Sequence, residues 1–254
     1  VAEFWTVSLD TVNTIVFGGT QDTGTVEQAA SGSITFDSIT LGDGFFTAVD
    51  NTSIANSAVR YTMGNTFTSF QRRVFNNANT QVGATATVQL AAPATPATSR
   101  SGLNATDVAA NASLNVYVLN AIDPRLMMVG ATGVYEDNSA AGNAGDIVST
   151  VTPAAMTGFV RTIAYGGRRA GVDYPRVAWV GTQNGELFVR GETGGFAASS
   201  TGGSGQISDI VLDPDNWQTA YVLQDNSVFR TIDGGVSYTD ISSNLGAITS
   251  QAHS

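Results

Sequence analysis

A unit of four short apolar segments recurs along this chain of 254 residues and constrains its fold more than any other feature. In the clearest copy the segments are rich in β-branched and aromatic residues and are separated by Asp, Asn, Pro or Gly. They are Ser208–Pro214, Thr219–Gln224, Ser227–Gly235 and Tyr238–Ser242. Segments of this length and composition predict strands, and the breaks predict tight turns. The unit is therefore predicted to be a four-stranded antiparallel sheet.

The spacing of the units predicts how the sheets are arranged. Asp123-Pro124 and Asp213-Pro214 enclose two repeats, which gives a period of about 45 residues, as in β-propeller blades. Five units are predicted, at residues 1–42, 43–92, 112–153, 158–203 and 205–246. We expect an all-β fold in which 1–254 forms a single β-propeller domain or a propeller fragment. Because residue 1 is Val, we also expect processing or a longer parent chain, with further segments or other subunits completing a larger ring.

The composition excludes several kinds of chemistry. The chain has no Lys and no Cys, so Schiff-base lysines, thiol nucleophiles, disulfides and thiolate metal sites are excluded. Its single histidine, His253, lies next to the C-terminus, which argues against a Ser-His-Asp triad or a histidine zinc site. The net charge of −10 makes nucleic acid a poor partner. No apolar stretch approaches the ~20 residues that span a membrane.

One hairpin motif predicts a structural role for its polar residues. In Thr231–Tyr238, Asp233 is placed to accept backbone N–H groups within the turn, Gly235 to adopt positive φ, and Tyr238 to pack beneath the hairpin. The motif resembles the Asp-box of bacterial neuraminidase repeats, which stabilises a blade away from the active site. Incomplete copies are Gly191–Phe196 and Glu136–Ser139. We predict that Thr231, Asp233, Gly235 and Tyr238 serve the scaffold.

A second motif, Gly18–Gly24 followed by Gly42–Gly44, leaves two hypotheses open. In the first, Asp22 and Asp43 converge as a carboxylate pair that acts on a glycosidic bond or binds an ion or a sugar; glycoside hydrolysis needs two such groups. In the second, both are turn residues that bond to nearby backbone. The motif resembles the glycine-rich pair of sortilin-like and xyloglucanase-like propellers, with Thr23 in place of the usual Asn.

Other candidate binding residues are weaker. Arg168 and Arg169 form a basic doublet that could grip an anion, although a solvated loop explains them as well. Calcium is compatible with the abundant Asp and Gly, but no contiguous loop motif supports it, and we predict no metal site. The arginine triad and nucleophile of sialidases have no recognisable signature, so no catalytic residue is assigned beyond the candidates Asp22 and Asp43.

The segment from Tyr165 to Ile241 resembles repeats of very large secreted or surface proteins of bacteria. The resemblance implies a neuraminidase-repeat or sortilin-like β-propeller outside the cell, with protein or carbohydrate at the cell surface as partner. We therefore favour a non-enzymatic module for protein or glycan interaction, adhesion or surface assembly. Two alternatives remain open: a xyloglucanase-like glycoside hydrolase that uses Asp22 and Asp43, and a structural subunit of a larger complex.

Overall fold

The computed structural model describes residues 3–67, 69–88, 116–137 and 148–245. Within these residues, twenty strands form five four-stranded antiparallel sheets, and in each sheet the strands hydrogen-bond in chain order. This confirms the prediction of an all-β chain built from about five such sheets. Tight turns follow several of the strands at residues with positive φ, among them Asp22, Gly185 and Asp225, as the Asp, Asn and Gly breaks in the sequence predict.

The strands of each sheet follow one another directly in the sequence. The first sheet comprises β1 (Phe4–Asp10), β2 (Ile15–Thr20), β3 (Gly24–Gln28) and β4 (Phe36–Ser38). The second comprises β5 (Gly44–Asp50), β6 (Ser57–Gly64), β7 (Gln71–Asn76) and β8 (Ala86–Thr87), with a 3₁₀ turn at Asn65–Phe67. The third comprises β9 (Val116–Leu119), β10 (Met127–Gly130), β11 (Val134–Asp137) and β12 (Val148–Thr150).

The last two sheets lie in the best-matched part of the repeat. The fourth sheet comprises β13 (Val160–Arg169), β14 (Val172–Thr182), β15 (Leu187–Arg190) and β16 (Ala197–Ser199). The fifth comprises β17 (Ile207–Leu212), β18 (Ala220–Gln224), β19 (Ser227–Thr231) and β20 (Thr239–Asp240). Each of the four segments predicted in Ser208–Ser242 therefore corresponds to one strand of the fifth sheet, although β17 begins one residue earlier, at Ile207.

The hairpin between β13 and β14 corrects one local expectation. Arg168 and Arg169, predicted in a loop, are the last two residues of β13. Ala170 and Gly171 both have positive φ, 51° and 77°, which is the geometry of a two-residue turn that continues the twist of the flanking strands. The strands therefore extend to the turn itself, and both arginines lie exposed at its end.

The chain divides into two compact units. Unit 1 contains the first and second sheets, unit 2 contains the fourth and fifth sheets, and the residues of the third sheet are shared between the units. The proposed boundaries of the repeats and the assignment of 1–254 to a single domain stay predictions. Residues 89–115 and 246–254, which contain the ends of three predicted repeats and His253, lie outside the described residues.

The core of unit 2 is apolar and centres on Trp179 of β14, which is fully buried. Residues of the fourth sheet pack here against Ile207, Ile210, Val222 and Phe229 of the fifth. Alternating residues of β17 and β18 point toward the fourth sheet, as the period-two pattern of a strand requires. Burying a side chain of this kind stabilises the fold by about 1.5–3 kcal/mol.

Candidate functional site

The hairpin between β19 and β20 is held by the carboxylate of Asp233. Its Oδ1 accepts the hydroxyl of Thr231 at 2.7 Å and the backbone N–H groups of Val236 and Ser237 at 3.0 Å each. Its Oδ2 accepts the hydroxyl of Ser237 at 2.5 Å. These bonds, above all the one from the Ser237 hydroxyl, hold the pKa of Asp233 well below its ordinary value. Gly235 has a φ of 89°, which few residues other than glycine adopt.

Tyr238 joins this hairpin to the neighbouring sheet. The hydroxyl of Ser199, in edge strand β16, donates to the carbonyl oxygen of Gly235 at 2.6 Å and lies 2.8 Å from the hydroxyl of Tyr238. Because Ser199 has only one hydroxyl proton, Tyr238 must be the donor in the second bond. Burial raises the pKa of Tyr238 to about 12, so the phenol stays protonated at any physiological pH. The four predicted motif residues thus lie in or directly after one hairpin turn, and their hydrogen bonds hold the turn and join it to the fourth sheet.

A groove of about 610 Å³ follows the same seam between the fourth and fifth sheets. One wall is edge strand β16 with Ser200, and the other is the tip of the hairpin, Gly234–Val236. Trp217 lines the groove and packs closely against two glycines. A Cβ atom at Gly167 would lie 2.5 Å from the Cβ of Trp217, and one at Gly234 would lie 3.4 Å from its ring. All the residues that line the groove are uncharged; they are Val189, Gly191, Ala197, Ala198, Ser199, Ser200, Trp217, Gly234, Gly235 and Val236.

The structure brings Asp22 and Asp43 together in unit 1. The contact joins the backbone of Asp22 to the carboxylate of Asp43. The N–H of Asp22 donates to Oδ1 of Asp43 at 2.9 Å, and Asp22 has a φ of 64°. The glycines around them permit close backbone packing, since a Cβ at Gly19 would overlap the carbonyl of Phe45 and one at Gly24 that of Thr40. The arrangement matches what the turn hypothesis expects, and the catalytic hypothesis stays untested.

Arg168 and Arg169 have separate contacts in the described residues, and their role in binding an anion stays a prediction. The guanidinium of Arg168 donates to Asp173 across the hairpin at 2.7 Å, and both side chains are about half exposed. Arg169 forms an isolated β-bridge with Asn216. The carboxylate of Asp173 already occupies part of the guanidinium of Arg168, which leaves less of it for an outside anion.

A buried network of charged residues in unit 1 was missed by the sequence reasoning. Arg60 of β6 is fully buried and donates to Asp10 of β1 with two nitrogens, at 3.0 and 2.5 Å, and to Glu27 of β3 at 2.5 Å. Arg73 donates to the other oxygen of Glu27 at 3.0 Å. The guanidinium carbon of Arg60 also lies 3.9 Å from the ring centroid of Phe75. A single charge in the middle of an otherwise uncharged strand, Arg60 in β6, is the sequence signal that could have revealed it.

The network sets the charge state of its own carboxylate. Burial alone would raise the pKa of Asp10, but hydrogen bonds from Asn13 and Arg60 outweigh it, so the pKa lies below its ordinary value. Asn13 supplies both its backbone N–H and its side-chain amide, each at 2.9 Å. Asp10 is therefore ionised at neutral pH, and its negative charge balances the positive charge of Arg60. Because the cluster is closed by its own ion pairs, we assign it to the scaffold.

Neither a metal-binding cluster nor a membrane-spanning helix occurs in the part of the chain that the structure describes. Across residues 3–67, 69–88, 116–137 and 148–245, no group of three or more acidic or histidine side chains could hold an ion. Among the same residues no helix is long and apolar enough to cross a membrane. The prediction of no metal site, and the compatibility of the composition with calcium, both stay untested.

Comparison with known proteins supports the fold. No family model matches the chain, and no curated protein matches it. Solved structures do: YCF48 from Cyanidioschyzon merolae has a TM-score of 0.50 at 10% identity and covers 94% of this chain and 85% of its own. The GH74 xyloglucanase from Xanthomonas campestris has a TM-score of 0.57 at 8% identity and covers 91% of this chain. A functionally unknown protein from Desulfotomaculum acetoxidans has a TM-score of 0.51 at 14% identity and covers 89%.

These neighbours establish the architecture and nothing finer. YCF48 and the xyloglucanase are β-propeller proteins, which together with the five sheets shows that this chain is built as a propeller module. The chain spans only 38% of the xyloglucanase and 64% of the Desulfotomaculum protein. At these identities the likeness carries no activity, substrate or partner over to this chain.

Proposed function

We propose that this chain is a non-enzymatic β-propeller module of the neuraminidase-repeat or sortilin-like type, and that its groove binds an extended segment of a partner protein. The observation that supports this is the position of β16: an edge strand of the fourth sheet forms one wall of the groove. An extended polypeptide that adds to such an edge gains main-chain hydrogen bonds, and pockets along the edge select its side chains.

The lining determines what kind of segment would fit. Ala197 and Ala198 are exposed and small, so a backbone can approach β16 closely. Val236 is 85% exposed and, with Trp217, offers apolar surface to side chains of the incoming segment. An uncharged groove in a chain of net charge −10 favours a neutral or basic partner with small apolar residues over an acidic one.

We further propose that the module works outside the cell, as part of a bacterial secreted or surface protein. The composition supports this, with only 13% charged residues and a surface rich in Thr, Ser, Asn and Gly. The resemblance of Tyr165–Ile241 to repeats of such proteins supports it as well. In that setting a groove for polypeptide would serve adhesion or the assembly of a surface layer.

The test fills the groove and asks whether binding is lost. Peptides selected from a random display library on the purified chain should bind it, and Ala198→Arg should weaken that binding at least about tenfold because the new side chain occupies the edge. Ala155→Arg, at another exposed alanine of unit 2 that does not line the groove, should bind as the original chain does. Selection of no peptide, or unchanged binding by Ala198→Arg, would refute the proposal. Binding on a glycan array that Ala198→Arg abolishes would replace the polypeptide with a carbohydrate.

The alternative function is a xyloglucanase-like glycoside hydrolase, and the contact between Asp22 and Asp43 is the observation that keeps it open. Under this alternative the chain should release sugar from a panel of plant and bacterial polysaccharides, and Asp22→Ala and Asp43→Ala should each abolish release. Turnover of no polysaccharide, or full turnover by both variants, would eliminate it.

A further inference from the structure

A second cavity, of about 340 Å³, lies in unit 2 beside the turn between β18 and β19. Its walls are residues 202–204, which follow β16, and residues 224–227 of the turn, and Phe229 and Asp240 also line it. Phe229 and Asp240 are direct cross-strand partners, and Phe229 packs into the cluster around Trp179. The cavity therefore lies on the side of the fifth sheet that faces the fourth, as the groove does. We call it the acidic pocket.

The walls of the acidic pocket are fixed by hydrogen bonds and close packing. Gln224 is only 3% exposed; its amide nitrogen donates to the carbonyl oxygen of Gly205 at 3.0 Å, and its amide oxygen accepts the hydroxyl of Thr201. A Cβ at Gly203 would lie 2.8 Å from the ring of Phe229, so a glycine is needed for the loop to approach this closely. The pocket is thus formed before a ligand arrives, which reduces the entropy lost on binding.

Two carboxylates, those of Asp225 and Asp240, give this pocket its charge, and no basic residue lines it in the described part of the chain. Oδ1 of Asp240 accepts the hydroxyl and the backbone N–H of Ser242, and these bonds lower the pKa of Asp240 below its ordinary value. Among the described residues, no group donates to Oδ2 of Asp240 or to the carboxylate of Asp225. Arg230 follows Phe229 in β19 and so points to the opposite face of the sheet. The free oxygens therefore favour a positively charged ligand.

The acidic pocket continues the groove along one stretch of chain. Residues 197–200 line the groove and residues 202–204 line the pocket, so only Thr201 lies between them. Ser199 and Gly203 are four residues apart, a distance that an extended chain spans in about 13 Å. A segment bound along β16 can therefore place a side chain in the pocket within about four residues of the one beside Ser199.

We propose that the acidic pocket binds an arginine or lysine side chain of the segment that occupies the groove. The inference rests on the proposed function, since the groove must first hold a polypeptide, and it names the residue that decides which polypeptide is chosen. The guanidinium or ammonium group would donate to the free oxygens of Asp225 and Asp240, and charge-assisted bonds of this kind are roughly twice as strong as neutral ones. The uncharged groove supplies contact along the backbone, and the pocket supplies specificity.

The first test examines the peptides themselves. Peptides selected from a random display library on the 254-residue chain should share an Arg or Lys at one fixed position. In a synthetic peptide, replacing that residue with Gln should raise the Kd at least about tenfold, measured by calorimetry, because a charge-assisted bond is lost. Exchange of Arg for Lys at the position should cost less than the change to Gln, since either cation can donate to the two carboxylates.

The second test removes the two charges from the chain without changing its shape. In the double variant Asp225→Asn, Asp240→Asn, asparagine tolerates the φ of 51° at residue 225, and at residue 240 its oxygen can still accept the bonds from Ser242. The double variant should bind the basic peptide at least about tenfold more weakly, but bind the Gln peptide within about twofold of the original chain. Asp215→Asn, a loss of charge at an exposed residue that lines neither cavity, should change neither affinity.

The results distinguish the acidic pocket from the groove. Selected peptides that Ala198→Arg no longer binds but that share no basic residue, or a double variant that binds the basic peptide normally, would overturn the pocket and leave the groove. Selection of no peptide would overturn both. Competition by agmatine, a free guanidinium compound, at the concentration of the peptide would show a site for small cations and would also overturn the inference. If the double variant loses both peptides, Asp225→Asn alone, which keeps the bonds of Asp240, replaces it.

Discussion

Units 1 and 2 join neighbouring sheets by different means. In unit 1 the second sheet contributes Arg60, which ion-pairs with Asp10 and Glu27 of the first sheet in a region closed to solvent. In unit 2 the equivalent layer is an apolar cluster around Trp179, and the polar contacts lie at the rim, where Tyr238 meets Ser199. One repeat architecture therefore tolerates a charged seam and an apolar seam.

The charged seam and the apolar seam should respond differently to substitution. Apolar packing is roughly proportional to buried area and can be lost in small steps. A buried ion pair contributes little compared with a well-packed apolar pair, but removal of one partner leaves an uncompensated charge and costs far more. We expect the charged seam to be specific and brittle, and the apolar seam to be tolerant.

The largest effect is expected from Arg60→Ala. The substitution removes the ion-pair partner of the buried Asp10 and leaves Glu27 with Arg73, and we expect it to reduce the free energy of unfolding by about 3–5 kcal/mol. Hydrogen exchange measured by mass spectrometry should show faster exchange in β1, β3 and β6, with unit 2 less affected. The control is Arg168→Ala, whose exposed ion pair should contribute less than about 1 kcal/mol. Equal effects of the two substitutions would contradict the comparison.

A smaller effect is expected from Trp179→Phe. The change leaves a cavity in the apolar seam, but it also removes a buried indole N–H for which the described residues supply no hydrogen-bond partner. We expect a loss of about 1–2 kcal/mol in the free energy of unfolding, measured by urea denaturation. A loss as large as that of Arg60→Ala would show that the apolar seam is no more tolerant than the charged one.

The smallest effect is expected from a change of pH. Protonation of Asp10 should lower the free energy of unfolding only in acid and not near neutral pH. Because the pKa of Asp10 is lowered in the folded chain, its contribution to stability is complete above the unfolded aspartate value of about 3.9 and is lost as the pH falls through the folded value. The difference in unfolding free energy between the original chain and Asp10→Asn should therefore be constant from pH 7 to 5 and shrink below about pH 4. A difference that stays constant down to pH 2 would show that the Asp10 carboxylate is not what stabilises the seam.

The sequence was most informative where turn residues and apolar runs alternate. The segments around β17–β20 were located because Asp213-Pro214, Asp225 and Gly234-Gly235 mark the turns between them. The turn from Thr231 to Ser237 was recognisable because the hydrogen bonds of Asp233 are local. The contact of Tyr238 with Ser199 of the neighbouring sheet was not predicted. Chemistry confined to one turn can be derived from its residues alone.

Contacts between sheets were not predictable in the same way. Arg60 and Asp10 are far apart in the sequence, and their pairing depends on which face of each strand meets the neighbouring sheet. The contact of Asp22 with Asp43 likewise depends on how closely the glycines let two sheets approach. The groove was not predicted because, apart from Trp217, its lining residues are small, and all of them are uncharged. No cluster of titratable or aromatic residues marks it in the sequence.

The placement of Arg60 has a consequence for how such repeats can recombine. A repeat whose seam is apolar can be copied or exchanged between positions, since any neighbour with a matching apolar side will cover it. The second repeat cannot be moved alone, because its guanidinium would then sit against a neighbour without the two acids that neutralise it. The first two repeats should therefore be inherited together as an inseparable pair.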